Sequence, residues 1–460
     1  MVHPSSATAP IGRIGERFEL DITDLGHDGQ GVGRWQERVV FVPGALPEER
    51  VAVVVRRVQR RHLEAELQAV LVASPLRRRP PCILAERCGG CSLQHWQDGP
   101  QAHWKQQLVV QALRRIGGLD CAVAPLIAPE TTLGYRNRAT IPLERREGDG
   151  QLRAGYYRRG SHRIVNLNRC PVLDPRIDSL IAPLKADLEA SDWPVDVHLE
   201  QEGGLRHLAL RVGHHSGEIL ITLISSHDEL DGLEEIAAHW LERWPQVVGV
   251  CLNLQPLATN TLMGPETRLL AGRGFVRERF AGIGLSIAAD TFFQVNTVQA
   301  ERLVPLLLEA FGPLEGQELI DAYCGIGTFS LPLAAAGARV LGLESHLASV
   351  EQARANAAAN GLNRASFEQA EVGASLVERL GAIDGLLLDP PRKGLPALLC
   401  AAIGATPPAT VAYISCNPAT LARDLALLTG EGRLQVERVQ PIDFFPQTSH
   451  VETLAVLKRI

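Results

Sequence analysis

Four short apolar runs, at residues 319–322, 339–343, 385–388 and 410–415, recur in the last third of the chain with room for a helix between neighbours. Alanine-rich stretches such as residues 348–360 fill the gaps. Continuous apolar strands joined by crossover helices pack as a doubly wound parallel sheet covered on both faces. An α/β domain is therefore expected over residues 283–460. Ligands of such sheets bind where strands end and helices begin.

The first 75 residues follow another rule. Phe18, Leu20 and Ile22 alternate with polar residues, as do Val51, Val53 and Val55, and a β-branched run fills residues 39–42. With residues 63–72 as a closing strand and Gly26, Gly29, Gly31, Gly33 and Gly44 as punctuation, a small OB-like β-barrel is expected over residues 11–75. Residues 76–282 read as a mixed α+β domain. A helix is expected at residues 101–116 and strands at 208–212 and 219–224, but the topology does not follow from the pattern.

Charge is informative locally rather than globally. The formal net charge is -6. Yet Arg56, Arg57, Arg60 and Arg61 cluster, and Arg77, Arg78 and Arg79 form a run. Such patches suit specific nucleic-acid contact, and a solvated basic face suits them equally. The first ten residues lack a secretory pattern and no run of about 18 apolar residues occurs, so a cytoplasmic protein without membrane spans is expected. Its nine cysteines should then be reduced, and clustered ones should serve as metal ligands or catalytic groups.

Residues Asp321-Ala322-Tyr323-Cys324-Gly325-Ile326-Gly327-Thr328 follow one strand and open a helix. Glycines let a ligand approach the backbone, and a helix N-terminus offers free N–H groups. The next strand ends at Glu344, where a carboxylate can take two ribose hydroxyls. A dinucleotide oxidoreductase would place a third glycine at position 330, which is Ser330.

Strand 410–415 runs into Cys416-Asn417-Pro418-Ala419-Thr420, a helix start with Asn417 or Thr420 as cap and Pro418 in the first turn. A thiol facing a helix N-terminus is expected to have a lowered pKa, although an isolated cysteine also serves simple packing. Asp389-Pro390-Pro391-Arg392 ends another strand of the same sheet, and Thr448-Ser449-His450-Val451-Glu452 supplies a late acid. Cys121, Cys251, Cys324 and Cys400 read as core or loop residues. Cys82, Cys88 and Cys91 have the spacing C-x5-C-x2-C, with Cys170 or His95 as a fourth ligand, which suits zinc or an iron–sulfur cluster.

These motifs, above all Ser415-Cys416-Asn417-Pro418 and Ser449-His450-Val451-Glu452, closely resemble the bacterial RNA 5-methyluridine (uracil-C5) methyltransferases, and the likeness spans nearly the whole chain. The resemblance implies a TRAM barrel, a cysteine-bearing central domain and a Rossmann-like class I methyltransferase domain. It implies Cys416 as nucleophile and Glu452 as the base that removes the carbon 5 proton. It implies an S-adenosylmethionine site lined by Gln294, Tyr323, Thr328, Glu344, Glu371 and Asp389. It also implies a [4Fe-4S] cluster on Cys82, Cys88, Cys91 and Cys170, and an RNA-facing stretch at Tyr135-Arg136-Asn137-Arg138. Barrel and cluster together point to the branch acting on 23S ribosomal RNA, as a monomer; transfer RNA and a non-catalytic RNA-binding iron–sulfur protein are the alternatives.

Overall fold

The computed structural model describes residues 12–146, 148, 150–195, 197–198, 203–259 and 261–460. The chain divides into two compact units, one running to Lys105 and taking in Gln447–His450, the other comprising Gln106–Pro446 and Val451–Ile460.

In the first unit, β1 (Arg17–Leu25), β2 (Gly31–Trp35), β3 (Arg38–Val42), β4 (Arg50–Val58) and β5 (His62–Val72) close a barrel in the order β1-β2-β3-β5-β4. The period-2 pattern turns Leu20, Ile22, Val40, Val42, Val51, Val53, Val55 and Leu63 into one dry interior. Gly33 is required where β1 bulges, because a Cβ there would sit 2.5 Å from the Asp21 carbonyl. Much of the basic charge is spent internally. Both Arg77 Nε and Nη2 donate to buried Glu49, Arg78 clasps Asp98 at 2.6 and 3.1 Å, and Arg56 pairs with Glu66. Arg60 and Arg61 stay exposed.

The expected helix at 101–116 is Asp98–Ala112, continued by a π-helical turn, Leu113–Gly117. In the second unit, β6 (Arg138–Arg145), β7 (Leu152–Tyr157), β8 (Ile164–Asn166), β9 (Leu205–Val212), β10 (Ile219–Ser225), β11 (Val247–Leu254) and β12 (Glu266–Gly272) form a sheet in the order β12-β11-β10-β9-β6-β7-β8. A hairpin of β13 (Phe275–Phe280) and β14 (Ile283–Ala288) follows. Then β15 (Glu318–Ala322), β16 (Arg339–Glu344), β17 (Ala365–Gln369), β18 (Gly385–Leu388), β19 (Thr410–Ser415), β20 (Leu434–Ile442) and β21 (Glu452–Arg459) form the sheet β17-β16-β15-β18-β19-β21-β20.

That sheet is parallel except for β21, which runs antiparallel to both β19 and β20. β18 and β19 are buried along their whole length, as continuous apolar runs require. The chain therefore has a Rossmann-like α/β core preceded by a closed barrel and a mixed α+β region. Strand order reverses between β15 and β18, and ligands of such sheets bind at the carboxyl ends of the strands on either side of that switch. Among the described residues no helix is long and apolar enough to cross a membrane.

Candidate active site

The loop after β15 is shaped by backbone conformations that few side chains tolerate. Tyr323, Gly325 and Gly327 have φ of 69°, 54° and 85°. For a tyrosine this is uncommon, and it is held because the N–H groups of Tyr323 and Cys324 both reach the Leu343 carbonyl, at 2.9 and 3.1 Å. Glu344 then turns back onto the loop. Its Oε2 accepts the Gly325 N–H at 3.2 Å, and its Oε1 accepts the His346 N–H at 2.9 Å. Burial pushes the Tyr323 hydroxyl up, and the charges of Glu371, Cys400, Asp424 and Glu344 add to the push. Thr328 is buried just before the helix Ser330–Ala335. Asp321, to which no role was assigned from the sequence, is buried beneath the loop. Its Oδ2 takes the Ser330 hydroxyl at 2.5 Å, and desolvation pushes it up to about 7.

A second group gathers at the ends of β18, β19 and β21. Ser415 stands opposite Thr453, so Cys416, one residue past β19, and Glu452, the first residue of β21, leave the same end of the paired strands, and the charge of Glu452 acts on the thiol. Thirty-five intervening residues are thus folded out between the two. Glu452 is 4% exposed and Cys416 half-buried. Asp389 follows β18 directly, and Gln294 Nε2 donates to its Oδ2 at 3.3 Å. Arg392 hydrogen-bonds to the Cys416 sulfur and opposes the negative charge of Glu452.

The electrostatics differ from the sequence expectation. The Cys416 thiol is not lowered; desolvation foremost, then Glu452 and Asp389, push it up to about 11, with Arg392 pulling the other way. Asp389 rises to about 7 through burial and the charge of Asp321, and Glu452 rises well above its usual range through burial and the charge of Asp389. Local helix-end polarity loses to burial and to carboxylates brought in by other strands. Asn417, not Thr420, caps the helix Pro418–Thr429; its side chain accepts the Ala419 N–H at 3.1 Å. The Thr420 hydroxyl and the Asn417 amide both hold the Arg392 carbonyl, at 3.3 Å each.

Comparison with known proteins decides between the remaining readings. The profile of the tRNA (Uracil-5-)-methyltransferase family matches residues 128–460, and that of the TRAM domain matches residues 13–68. An uncharacterised RNA methyltransferase of Parasynechococcus marenigrum is 51% identical over 451 residues, 97% of either chain. One from Listeria monocytogenes is 35% identical, covering 98% of this chain and 99% of its own. The chain belongs to the RNA uracil-C5 methyltransferase family. Its fold agrees: the crystal structure of Pyrococcus abyssi tRNA (uracil-54, C5)-methyltransferase with S-adenosyl-L-homocysteine superposes with a TM-score of 0.75 at 28% identity, covering 95% of this chain and 99% of that one. The protein is thus an S-adenosylmethionine-dependent RNA (uracil-C5)-methyltransferase.

For a uracil-C5 methyltransferase the donor set fits a cationic methyl donor. Asp321 and Glu452 are buried and Asp389 is half-buried at one sheet edge, with Arg392 opposing Glu452. A bound cation would relieve that deficit. A Cβ at Gly325 would meet nothing within 4 Å, so the loop leaves a ligand room beside Glu344.

The metal expectation fails. Among the described residues no group of three or more His, Cys, Asp or Glu side chains is arranged to hold a metal ion. Cys82, Cys88, Cys91 and Cys170 therefore provide no site for a [4Fe-4S] cluster, nor for zinc. The Cys82 and Cys88 sulfurs instead accept the Leu84 and Gly90 N–H groups, at 3.4 Å each, and the Cys170 N–H is directed at Asp178. C-x5-C-x2-C spacing brings thiols close along the chain, but ligation needs them to converge on one point. Sequence reasoning also missed Arg392 and Asp424. Asp424 is one residue of a helix whose inward face could be read from its apolar period, but a carboxylate on that face carries no local signal.

Proposed function

We propose that this enzyme methylates carbon 5 of a uridine in transfer RNA through a covalent adduct at carbon 6, with Cys416 as nucleophile and Glu452 as base. The observation that supports the reading is the β19–β21 register, which brings Cys416 and Glu452 to the same end of the paired strands, where the charges of Glu452, Arg392 and Asp389 all act on the thiol. Carbon 5 of uracil is a weak nucleophile. Addition of the Cys416 thiolate to carbon 6 breaks the 5,6 double bond and makes carbon 5 nucleophilic. S-adenosylmethionine, when bound, supplies the electrophilic methyl. Glu452 then takes the proton from carbon 5, the double bond re-forms, and the thiolate leaves.

Residues around the pair have matching tasks. Arg392, hydrogen-bonded to the sulfur, favours thiolate over thiol. Asp389, steadied by Gln294, is placed to hold the edge of a flat base. Gln294, Tyr323, Thr328, Glu344, Glu371 and Asp389 are assigned to the cofactor side of the crevice. Glu344 is suited to the ribose and the glycine loop to close backbone approach.

The choice of transfer RNA rests on the relatives. The matching family carries that name, and the Pyrococcus abyssi enzyme is described as acting on uracil 54 of transfer RNA. The 23S ribosomal RNA expectation rested on barrel plus cluster. The cluster is withdrawn, and a relative matched over 95% of this chain must include most of the barrel, so a barrel does not separate the two substrates. Incubation with 5-fluorouridine-substituted tRNA should give an adduct stable to denaturation; in Cys416→Ala it should vanish, and its persistence would refute the nucleophile. Mapping 5-methyluridine in transfer and ribosomal RNA from cells with and without the gene tests the substrate. Loss from 23S RNA alone would overturn it.

A further inference from the structure

A hairpin of two strands is marginal by itself, and β13–β14 pairs with no third strand among the described residues. The outer edge of β14 is closed instead by two asparagines one turn apart, Asn356 on the helix Leu347–Ala359 and Asn360 at its end. Asn360 Oδ1 accepts the Gly284 N–H at 3.0 Å, and its Nδ2 donates to the Gly284 carbonyl at 2.7 Å. Asn356 repeats the pattern two residues along β14. Its Oδ1 accepts the Ser286 N–H at 2.8 Å, and its Nδ2 donates to the Ser286 carbonyl at 3.3 Å. A side-chain amide carries donor and acceptor together, as a peptide does, so the pair stands in for a neighbouring strand.

The two asparagines differ in where their other N–H goes. Asn360 Nδ2 turns back to the Asn356 carbonyl, at 2.7 Å. Asn356 Nδ2 reaches the Ile326 carbonyl, at 3.3 Å. Ile326 stands between Gly325 and Gly327 in the loop after β15. Asn356 is 1% exposed, so its donors and acceptor are satisfied within the fold and water is no substitute.

That carbonyl is a sensitive point. A glycine on either side lets the peptide of Ile326 turn at low steric cost. The neighbouring N–H groups are held from other directions: Gly325 donates to Glu344 at 3.2 Å and Gly327 to the Cys324 carbonyl at 3.0 Å. Asn356 fixes the remaining polar atom and aims it inward, away from the side a ligand approaches. The contact also ties the loop to the hairpin, whose Phe280 meets Phe329 edge-on with ring centroids 6.0 Å apart. One buried amide therefore joins helix, hairpin and glycine loop.

We propose that Asn356 is a positioning residue for S-adenosylmethionine: it ties the Ile326 peptide to β14 and so holds the loop in its binding conformation before the cofactor arrives. Affinity gained by such pre-organisation comes from ordering that no longer has to accompany binding. The inference rests on the reading of residues 323–328 as part of the cofactor site and adds a residue that acts through them.

The test uses full-length protein and the variants Asn356→Ala, Asn356→Ser, Asn360→Ala and Glu344→Ala. Asn356→Ala orphans the Ile326 carbonyl and should weaken S-adenosylmethionine binding, read by calorimetry, about tenfold. In methylation assays KM for the cofactor should rise with kcat unchanged, and RNA affinity should hold. Asn356→Ser, whose hydroxyl can still donate one bond, should lose less, and it serves if the alanine variant does not fold. Asn360→Ala removes three hydrogen bonds, as Asn356→Ala does, so it should lower the melting temperature yet leave cofactor affinity unchanged. A merely structural role would make the two positions behave alike. Hydrogen exchange over residues 323–328 should be slow in the free wild type and faster in Asn356→Ser, and S-adenosyl-L-homocysteine should slow it again. The inference is overturned if folded Asn356 variants keep wild-type cofactor affinity, if Asn360→Ala weakens the cofactor equally, or if kcat falls with KM unmoved. Glu344→Ala separates the two readings. Unchanged cofactor affinity there refutes the loop as cofactor site and this inference with it; affinity lost there but kept in the Asn356 variants refutes this inference alone.

Discussion

Replacing Asp424 with alanine should cost about 3–5 kcal/mol and slow attack by Cys416. The carboxylate is fully buried. Its Oδ2 accepts the Tyr413 hydroxyl at 2.6 Å and the Leu395 N–H at 2.8 Å, and its Oδ1 accepts Arg423 Nε at 2.8 Å. Tyr413 and Leu395 are themselves buried, so each orphaned donor costs about 1–3 kcal/mol. The Arg423 side chain is 45% exposed and can turn to water, so its share is about 1 kcal/mol or less. The total agrees with the loss expected when one partner of a buried charge network is removed. Tyr413→Phe, which removes one hydrogen bond to a charged group, should cost about 1.5–3 kcal/mol. Since both changes delete that bond, the double variant should fall short of additivity by about 1–2 kcal/mol. The functional effect follows from the loop. Arg423 Nη2 also holds the carbonyls of Lys393 and Leu395, at 3.0 and 3.2 Å, and Gly394, with φ of 73°, packs against Asp424. Loosening this anchor frees the segment that carries Arg392 to the Cys416 sulfur. Urea titration by fluorescence and circular dichroism gives the stability, with equal slopes required for the comparison. Adduct formation with 5-fluorouridine RNA, in buffer where the variant is folded, gives the rate. A loss under about 1 kcal/mol, strict additivity, or an unchanged adduct rate would refute the reasoning.

Three further outcomes are expected. Alkylation of Cys416 in the free enzyme should climb about tenfold per pH unit without levelling by about pH 9.5, because burial and Glu452 push the thiol up to about 11; a plateau around 8.5 would contradict this. Asp321 is raised to about 7 in the fold, so the native state binds more protons than the unfolded chain between about pH 4 and about pH 7; the stability it contributes should fall as pH rises through that window, and Asp321→Asn should flatten the profile measured by thermal unfolding. Gly327→Ala should lower the melting temperature of the free protein more than Gly325→Ala, since both strain the backbone but only at Gly327 does the new Cβ meet neighbours within the fold, Leu331 and Phe367 at 3.1 Å; equal melting temperatures would show that crowding plays no part.

The parallel sheet and the barrel were legible because their signals are local. Residues 385–388 and 410–415 are the observed β18 and β19, and residues 348–360 fall on the helix Leu347–Ala359. An apolar run or an alternation needs no knowledge of its partners. The central sheet was not legible, because β9 lies between β6 and β10, with about sixty residues separating it from β6. The active site divides in the same way. Cys416 at a strand end is a local fact, whereas its pairing with Glu452 depends on β21 inserting antiparallel beside β19. The direction of the Cys416 shift was misread because the helix N-terminus is local and the opposing carboxylates come from β18 and β21. The cysteine spacing misled in the opposite sense: closeness along the chain did not become convergence in space.

Two charge imbalances, of opposite sign, flank the stretch 291–294. On the Gln294 side, Asp389 adjoins Asp321 and Glu452, with Arg392 opposing the charge of Glu452. On the Thr291 side, Arg211 adjoins Arg138, and Asp290 opposes them. Each imbalance alone raises the free energy of the folded chain, and a sequence selected only for stability would have neutralised both. The reaction brings together a cationic methyl donor and a polyanionic acceptor, and the donor has the sign that the acidic group lacks. On this reasoning the two ligands should reinforce one another through the stretch they share. A saturating, non-transferring analogue that carries an ammonium in place of the sulfonium should tighten tRNA binding, and tRNA should tighten the analogue by the same factor, because linkage is reciprocal. Affinities that stay independent in both directions would mean that the stretch transmits nothing between the two sites.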